Sequence, residues 1–207
     1  MAFVTSWKGA FVSVIDINKM KVIKKIPVFP GPSGLTISND ENFLFISHTE
    51  VKFNPESNST EGIVSVIDTS SLTLNKEIPS VGKASSDIKA LTPLTFVVAA
   101  NFRGQSLSYI DQDGFSHLGN VDLQQGSPID ITYSKELNKI FVANYNHPFI
   151  HIVDNETRTL DVVLHSSTFG KESNGILVVN RGKSLCLTNT ESNELICIDN
   201  IHNLKEE

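Results

Sequence analysis

The chain has 207 residues, 40% hydrophobic and 19% charged, with 17 basic side chains against 23 acidic ones and a formal charge of −6. These proportions suit a globular chain with a sizeable core and exclude a disordered one, and the acidic balance argues against a surface built wholly to grip nucleic acid or anionic lipid. Two cysteines are too few for a disulfide-built scaffold; no apolar run nears the roughly 18 to 20 residues of a membrane span, and MAFVTSWKGAFVSVID lacks the basic leader and sustained apolar stretch of a secretory signal.

In chain order, an apolar segment ending in Ile-Asp or Val-Asp recurs as VSVID at 12–16 and 64–68, LSYID at 107–111, IHIVD at 150–154 and LICID at 195–199. The aspartates Asp16, Asp68, Asp111, Asp154 and Asp199 stand 52, 43, 43 and 45 residues apart. A second motif precedes each one: FVTS at 3–6, FISH at 45–48, VAAN at 98–101, VANY at 142–145 and LTN at 187–189. Ser6, Asn101, Asn144 and Asn189 lie 10 residues before the following aspartate, whereas His48 lies 20 before Asp68, so the second copy carries an insertion within 49–62. Two motifs kept in register through five copies define a repeat, and repeats decide the fold before local structure does.

Within a unit the patterns are those of strands. β-Branched residues dominate, and Gly, Pro, Asn, Asp and Ser punctuate every 8 to 12 residues. Both faces of VSVID are largely apolar, as in a sheet covered on both sides. After each aspartate comes a turn (INKMK, TSSLT, QDGFS, NETRT) and a further strand such as VIKKIPV; a Gly/Pro/Ser link then leads to SGLTIS at 33–38, SDIKAL at 86–91, IDITYS at 129–134 or NGILVV at 174–179. Four strands in roughly 43 residues is the period of a propeller blade, not of a leucine-rich or helical repeat.

The run VSVIDINKMKVIKKIPVFPGPSGLTISNDENFLF resembles the YVTN-repeat β-propellers, the family that includes YncE-like proteins. The resemblance covers nearly the whole chain and weakens at 83–91 and 169–179. It implies an all-β fold: one β-propeller domain, 1–207, of about five four-stranded blades, with units near 1–27, 28–79, 80–122, 123–165 and 166–207. The first unit lacks its inner strand, and the fifth has only 201–204 as a stub for its outer one. Family members commonly have seven blades, so a five-bladed variant and a fragment of a larger propeller both stay open.

The expected blade order puts the links 28–33, 80–86, 124–128 and 166–173 on one rim with the hairpins 49–62, 102–106 and 145–149. Gly34, Asp87, Asp130 and Gly175 then open the channel-lining strands, so Asp87 and Asp130 present carboxylates at the channel mouth, with Arg103 nearby, as a candidate site for a polar ligand. The reading favoured over a ligand site is that these carboxylates cap loop amides or meet ordered channel water, since two carboxylates without a third ligand make a poor metal site. The recurring aspartates and asparagines read as turn caps, since a residue present once per blade serves the scaffold.

His147 and His151 have ligand spacing for a helix but not for a turn entering a strand, and no metal site or cofactor is expected. Cys186 and Cys197 fall on adjacent hairpin strands, where paired buried thiols are expected and a cross-strand disulfide is the alternative. Asn58-Ser-Thr and Asn155-Glu-Thr match glycosylation sequons. The function expected is a non-enzymatic module binding a protein or small polar ligand at the loop rim and channel mouth. Self-association through open strand edges is a further expectation, with no nucleic acid and no membrane span. A lactonase-like hydrolase and a structural cell-surface repeat protein are the alternatives that related propellers imply. The compartment stays open, because family members are often exported.

Overall fold

Strands apolar on both faces must be covered on both faces, and the architecture follows from that demand. The computed structural model describes residues 1–56, 58–165, 169 and 172–201, and all regular elements among them are β. No helix among them is long and apolar enough to cross a membrane. The first sheet holds β1 (Ala2–Ser6), β2 (Phe11–Asp16) and β3 (Lys21–Pro27) in sequence order. The second runs β4 (Pro32–Ile37), β5 (Phe43–His48), β7 (Ser59–Asp68) and β8 (Thr73–Val81), with the short β6 (Lys52–Asn54) paired to the start of β7. The third holds β9 (Ser85–Ala90), β10 (Phe96–Asn101), β11 (Ser106–Asp111) and β12 (His117–Asp122). The fourth holds β13 (Pro128–Ser134), β14 (Lys139–Asn144), β15 (Phe149–Asp154) and β16 (Thr159–His165); the fifth, β17 (Ser173–Val179), β18 (Ser184–Asn189) and β19 (Glu194–Asp199).

The first and fifth sheets have three described strands and the others four, with β6 as the addition that the insertion makes. The link 166–173 lies largely outside the described residues, as do 202–204 of the expected outer stub. The chain forms two compact units, Met1–Ala99 with Ser108–Asn120, and Ala100–Leu107 with Val121–Glu207.

In the first unit, strand alternation sends side chains of one sheet to two cores. Leu44 and Ile46 of β5, with Ile67 of β7, pack on Val12, Val14 and Ile26. Phe45, Val64 and Val66, from the other faces of the same strands, pack on Ile88, Val97, Ala99 and Ile110. The pairing holds both sets in phase, since Leu44 stands opposite Ile67 and Phe45 opposite Val66. The second unit repeats the arrangement, with Phe141, Ala143, Ile150 and Ile152 against Ile176, Leu185 and Leu187. Complete burial of one such aliphatic side chain contributes about 1.5–3 kcal/mol.

Side-chain hydrogen bonds join the first strands of successive sheets. The Ala90 amide donates to Thr36 Oγ1 at 3.0 Å, and at the same repeat position the Val178 amide donates to Thr132 Oγ1 at 3.2 Å. Ser33 Oγ donates to the Ser86 carbonyl at 2.8 Å.

The recurring aspartates cap turns. Asp16 accepts the amides of Asn18 and Lys19, Asp68 those of Ser70 and Ser71, Asp111 that of Gly114, and Asp154 those of Glu156 and Thr157. Four residues after each of these aspartates the chain turns left-handed, at Met20, Leu72, Phe115 and Arg158, with φ of 49 to 55°. Asp199 differs, and its carboxylate accepts the Ser184 hydroxyl at 2.6 Å.

The position shared by His48, Asn101, Asn144 and Asn189 does more than cap. Asn189 accepts the amides of Glu191 and Ser192, as expected, but it also donates to the Phe169 carbonyl at 2.8 Å. His48 contacts the Pro30 carbonyl through Nδ1 at 3.2 Å and Ser65 Oγ through Nε2 at 2.9 Å. Both thereby tie down the link that leads into their own sheet. Asn144 instead donates to His151 Nδ1 at 3.0 Å, beneath Gly126, whose φ of +94° and overlap of any Cβ with Asn144 Oδ1 require glycine. Burial lowers both histidines to about 4. At His48 the Pro30 and Phe29 carbonyls oppose the shift; His151, repelled further by His165 and His147, has no well-formed bond at Nε2 and only weak support from the Leu123 carbonyl.

Two predictions follow from these polar positions. Asp154 also receives Lys139 Nζ at 2.6 Å, and that bond, followed by the Thr157 amide, pulls its carboxyl down to about 2. In urea denaturation Asp154→Ala is expected to lose about 1–3 kcal/mol and Asp154→Asn less, because the amide keeps an acceptor for the turn; an alanine variant as stable as the parent would remove the capping role. The second concerns acid. The two histidines bind their protons at about 4 in the folded chain, against 6.5 ordinarily, so between those values the unfolded chain holds more protons and stability falls as pH falls. Asp154 adds a further loss between about 4 and 2, below which its carboxylate is protonated in both states. From pH 7.5 to 5 each histidine is expected to cost about 2 kcal/mol. His48→Asn, which installs the residue of the sister repeats, should roughly halve the drop, and an unchanged pH slope would count against it.

Candidate ligand-binding cleft

At the loop end of the first two sheets, three connections meet around a cleft of about 440 Å³. The β1–β2 turn supplies Trp7 and Lys8, the β3–β4 link Phe29, Pro30 and Gly31, and the start of the insertion Glu50 and Val51. These are a link and hairpins of the rim that the repeat order singled out.

The cleft is held from behind by the repeat's own polar contacts. Thr49 N donates to the Gly31 carbonyl at 2.9 Å, the same link closure that Tyr145 makes to Ser127 and Thr190 to Glu172. Thr49 Oγ1 accepts the Trp7 indole N–H at 2.6 Å, which fixes the ring although Trp7 is 54% exposed. With its N–H engaged, the indole offers a ligand chiefly its face. Phe29 meets the buried His48 ring edge-on, with centroids 5.5 Å apart, and His48 is anchored in turn by Pro30 and Ser65. Gly31 sits at φ +70°, where a Cβ would come within 2.8 Å of Glu50 Cγ and 2.9 Å of Thr49 Oγ1. Only glycine lets the Glu50 stem lie so close to the link. The result is a fixed aromatic surface with a carboxylate and an ammonium, Glu50 and Lys8, among its lining side chains.

The insertion forms the wall beside it. Lys52, Phe53 and Asn54 of β6 pair with Glu61, Thr60 and Ser59, extending β7 into a hairpin that carries an exposed Phe53. At its foot any Cβ on Gly62 would overlap the Gly82 carbonyl, so the hairpin leaves the sheet at a tightly packed point.

The residues singled out from sequence are placed as follows. Asp87 lies in β9, half-buried, with Lys89 Nζ 3.1 Å from Oδ2. Asp130 lies in β13 and accepts the amides of Ile131 and Ile176, both at 2.9 Å, so its carboxylate joins β13 to β17. At the equivalent Gly34 a Cβ would meet the Asp87 backbone, which shows that this position faces the neighbouring first strand. Arg103 is exposed in the β10–β11 turn. Asp87 falls in the first compact unit, and Asp130 and Arg103 in the second.

His147, His151 and His165 surround Phe149 at ring distances of 5.1 to 5.2 Å, with His151 next to Phe149 itself. Among the described residues no group of three His, Cys, Asp or Glu side chains is arranged to hold a metal. Of the two sequons, Asn58 is exposed in the β6–β7 turn and Asn155 is buried, donating to Asn138 Oδ1 at 2.9 Å.

The expectation of paired buried thiols is corrected: Cys186 and Cys197 are disulfide-bonded, with Cys186 half-buried and Cys197 exposed. The pair belongs to the outward rows of β18 and β19 rather than to the core face. The cleft itself was missed from sequence. Its one advance signal was Trp7, the single tryptophan of the chain, placed in a turn rather than in a core strand.

No protein-family model matches the chain, and no curated protein sequence matches it. Among solved structures it is similar to hydrazine synthase of Kuenenia stuttgartiensis, with a TM-score of 0.73 and 19% identity over 90% of this chain and 51% of that one. It is also similar to the dihydro-heme d1 dehydrogenase NirN in complex with DHE, with a TM-score of 0.70 and 13% identity over 95% of this chain and 41% of that one. The chain thus spans about half and about two-fifths of the length of these two structures. At such identities the likeness carries the fold alone, and together with the five antiparallel sheets it makes the fold a β-propeller.

Proposed function

We propose that the chain is a YVTN-type propeller domain acting as a non-enzymatic binding module, whose ligand, a protein loop or a small polar molecule with one flat apolar face, enters the Trp7–Phe29–Glu50 cleft. The observation that carries this reading is an exposed indole locked in place by Thr49 at the foot of the insertion. A large aromatic surface in an exposed turn contributes little to folding, whereas a pre-set aromatic face contributes strongly to association. The five units, 1–27, 28–79, 80–122, 123–165 and 166–207, then serve as scaffold for the loops. Asp87 in the first compact unit, and Asp130 and Arg103 in the second, stay in the proposal as candidate polar positions separate from this cleft. The cleft takes precedence because Asp130 already accepts two backbone amides and Asp87 already faces an ammonium.

The single tryptophan makes the reading directly testable, since every change in indole emission reports on this cleft. A panel of peptides and oligosaccharides titrated against the protein should yield a ligand that shifts Trp7 emission and whose calorimetric affinity falls at least about tenfold in Trp7→Ala. Deleting residues 52–61 should weaken the same ligand while leaving the thermal midpoint nearly unchanged, because loop shortening costs little. A ligand whose binding leaves the emission unaltered and survives Trp7→Ala would place the site elsewhere.

A further inference from the structure

We propose that the Cys186–Cys197 disulfide is a redox latch that holds β19, and with it Ile201, against the fourth sheet, and that a dithiol reductant opens it. Six residue pairs join β18 to β19, from Ser184 opposite Asp199 to Asn189 opposite Glu194, and the two cysteines face each other directly with Cα atoms 4.1 Å apart. Among the described residues β19 pairs with β18 alone. Its burial is slight: Ile196 and Ile198 are half-buried, and Leu195, Cys197 and Asp199 are exposed. A strand with one hydrogen-bonded neighbour and so little apolar burial belongs to the low-stability end of a fold, where a covalent tie dominates local opening. The hairpin turn does not depend on the tie, because Asn189 caps it through the amides of Glu191 and Ser192.

The strand restrains something beyond itself. Two residues past Asp199, Ile201 is buried, its amide bonded to the Lys183 carbonyl at 3.1 Å. Its side chain lines a crevice of about 140 Å³ with Phe141, Ile152 and Val162, where Lys139 and Asp161 form an ion pair at 2.9 Å. Release of β19 withdraws Ile201 and enlarges an apolar pocket edged by charge. Reduction is chemically open, because Cys197 is exposed. One thiolate of the dithiol attacks Cys197 Sγ and Cys186 leaves as thiolate; the second thiol then displaces Cys197. The protein gains two thiols and the reductant becomes a cyclic disulfide, a balanced two-electron exchange.

Hydrogen exchange read by mass spectrometry on the full chain, with and without dithiothreitol, tests the latch, thiol alkylation under denaturing conditions establishing each redox state. The expected result is one disulfide without reductant and, on reduction, exchange at least about tenfold faster across 194–201. Peptides from β13 to β15 should not change. A Cys186→Ser/Cys197→Ser variant should match the reduced protein in both buffers. Two free thiols in the air-oxidised chain would overturn the proposal, as would equal exchange in both states. Global unfolding on reduction would overturn it too, since the bond would then staple the whole fold rather than latch one strand.

Discussion

The central strands of the second, third and fourth sheets are buried on both faces. Leu44 and Ile46 point one way from β5 and Phe45 the other, and both sets are fully buried. A sheet of this kind cannot stand alone; it needs a sheet on either side, and repetition supplies that partner without a new sequence for each interface. Core residues at successive repeats therefore need only be apolar and of suitable volume. Phe45, Val98 and Phe141 hold the same repeat position, three residues before His48, Asn101 and Asn144, and are all buried despite their different volumes.

Such packing leaves the polar positions to fix how sheets connect. Aspartate at the end of one strand organises the turn that follows, and His48 and Asn189 hold a link carbonyl from the strand before. Thr36 and Thr132 join first strands that share no backbone ladder. The buried ones among these groups, His48, Asn189 and Thr132, sit where an unmet hydrogen bond would be costly, whereas the aspartates hold their turns at the exposed strand ends. The two neutral histidines show the other side of that constraint: a polar ring in a dry interior holds its place only while uncharged.

Much of this was legible in the sequence because spacing and alternation are what sheets impose on a chain. The alternation marked the strands of an all-β chain, and four of the five recurring aspartates cap turns as read, since their amide partners lie only two or three residues on; Asp199 instead takes the Ser184 hydroxyl. What needed coordinates were features that depend on through-space partners. That Asp130 caps amides was readable, but that one of them belongs to Ile176, 46 residues away on another sheet, was not. Met20, Leu72, Phe115 and Arg158 turn left-handed without the glycine that usually announces it, so the shared turn geometry outweighs the local preference. The cysteines were placed opposite each other by register, but their face was not: burial alternates along β19, and Cys197 belongs to the outward row. The cleft was invisible because Trp7, Phe29 and Glu50 come from three separate connections.

The division between regular and irregular positions bears on where a propeller of this kind can carry function. Positions that recur must satisfy the same neighbours in every unit, and a side chain committed to a turn amide or a link carbonyl is not free to follow a ligand. Departures from the repeat carry no such obligation. Trp7 stands in a turn where no later unit has an indole, and the insertion at 49–62 adds a hairpin where the other units have a tight turn. The two meet at one place, and the contact that joins them, indole N–H to Thr49 Oγ1, uses the first residue after the repeat's own His48. The irregular loop is thus aimed by the regular scaffold. His48, neutral and anchored on both ring nitrogens, holds the link carrying Phe29, while Gly31 leaves room for Glu50 to lie against it. Rigid support beneath and sequence freedom above are the combination that lets a loop present a fixed binding surface.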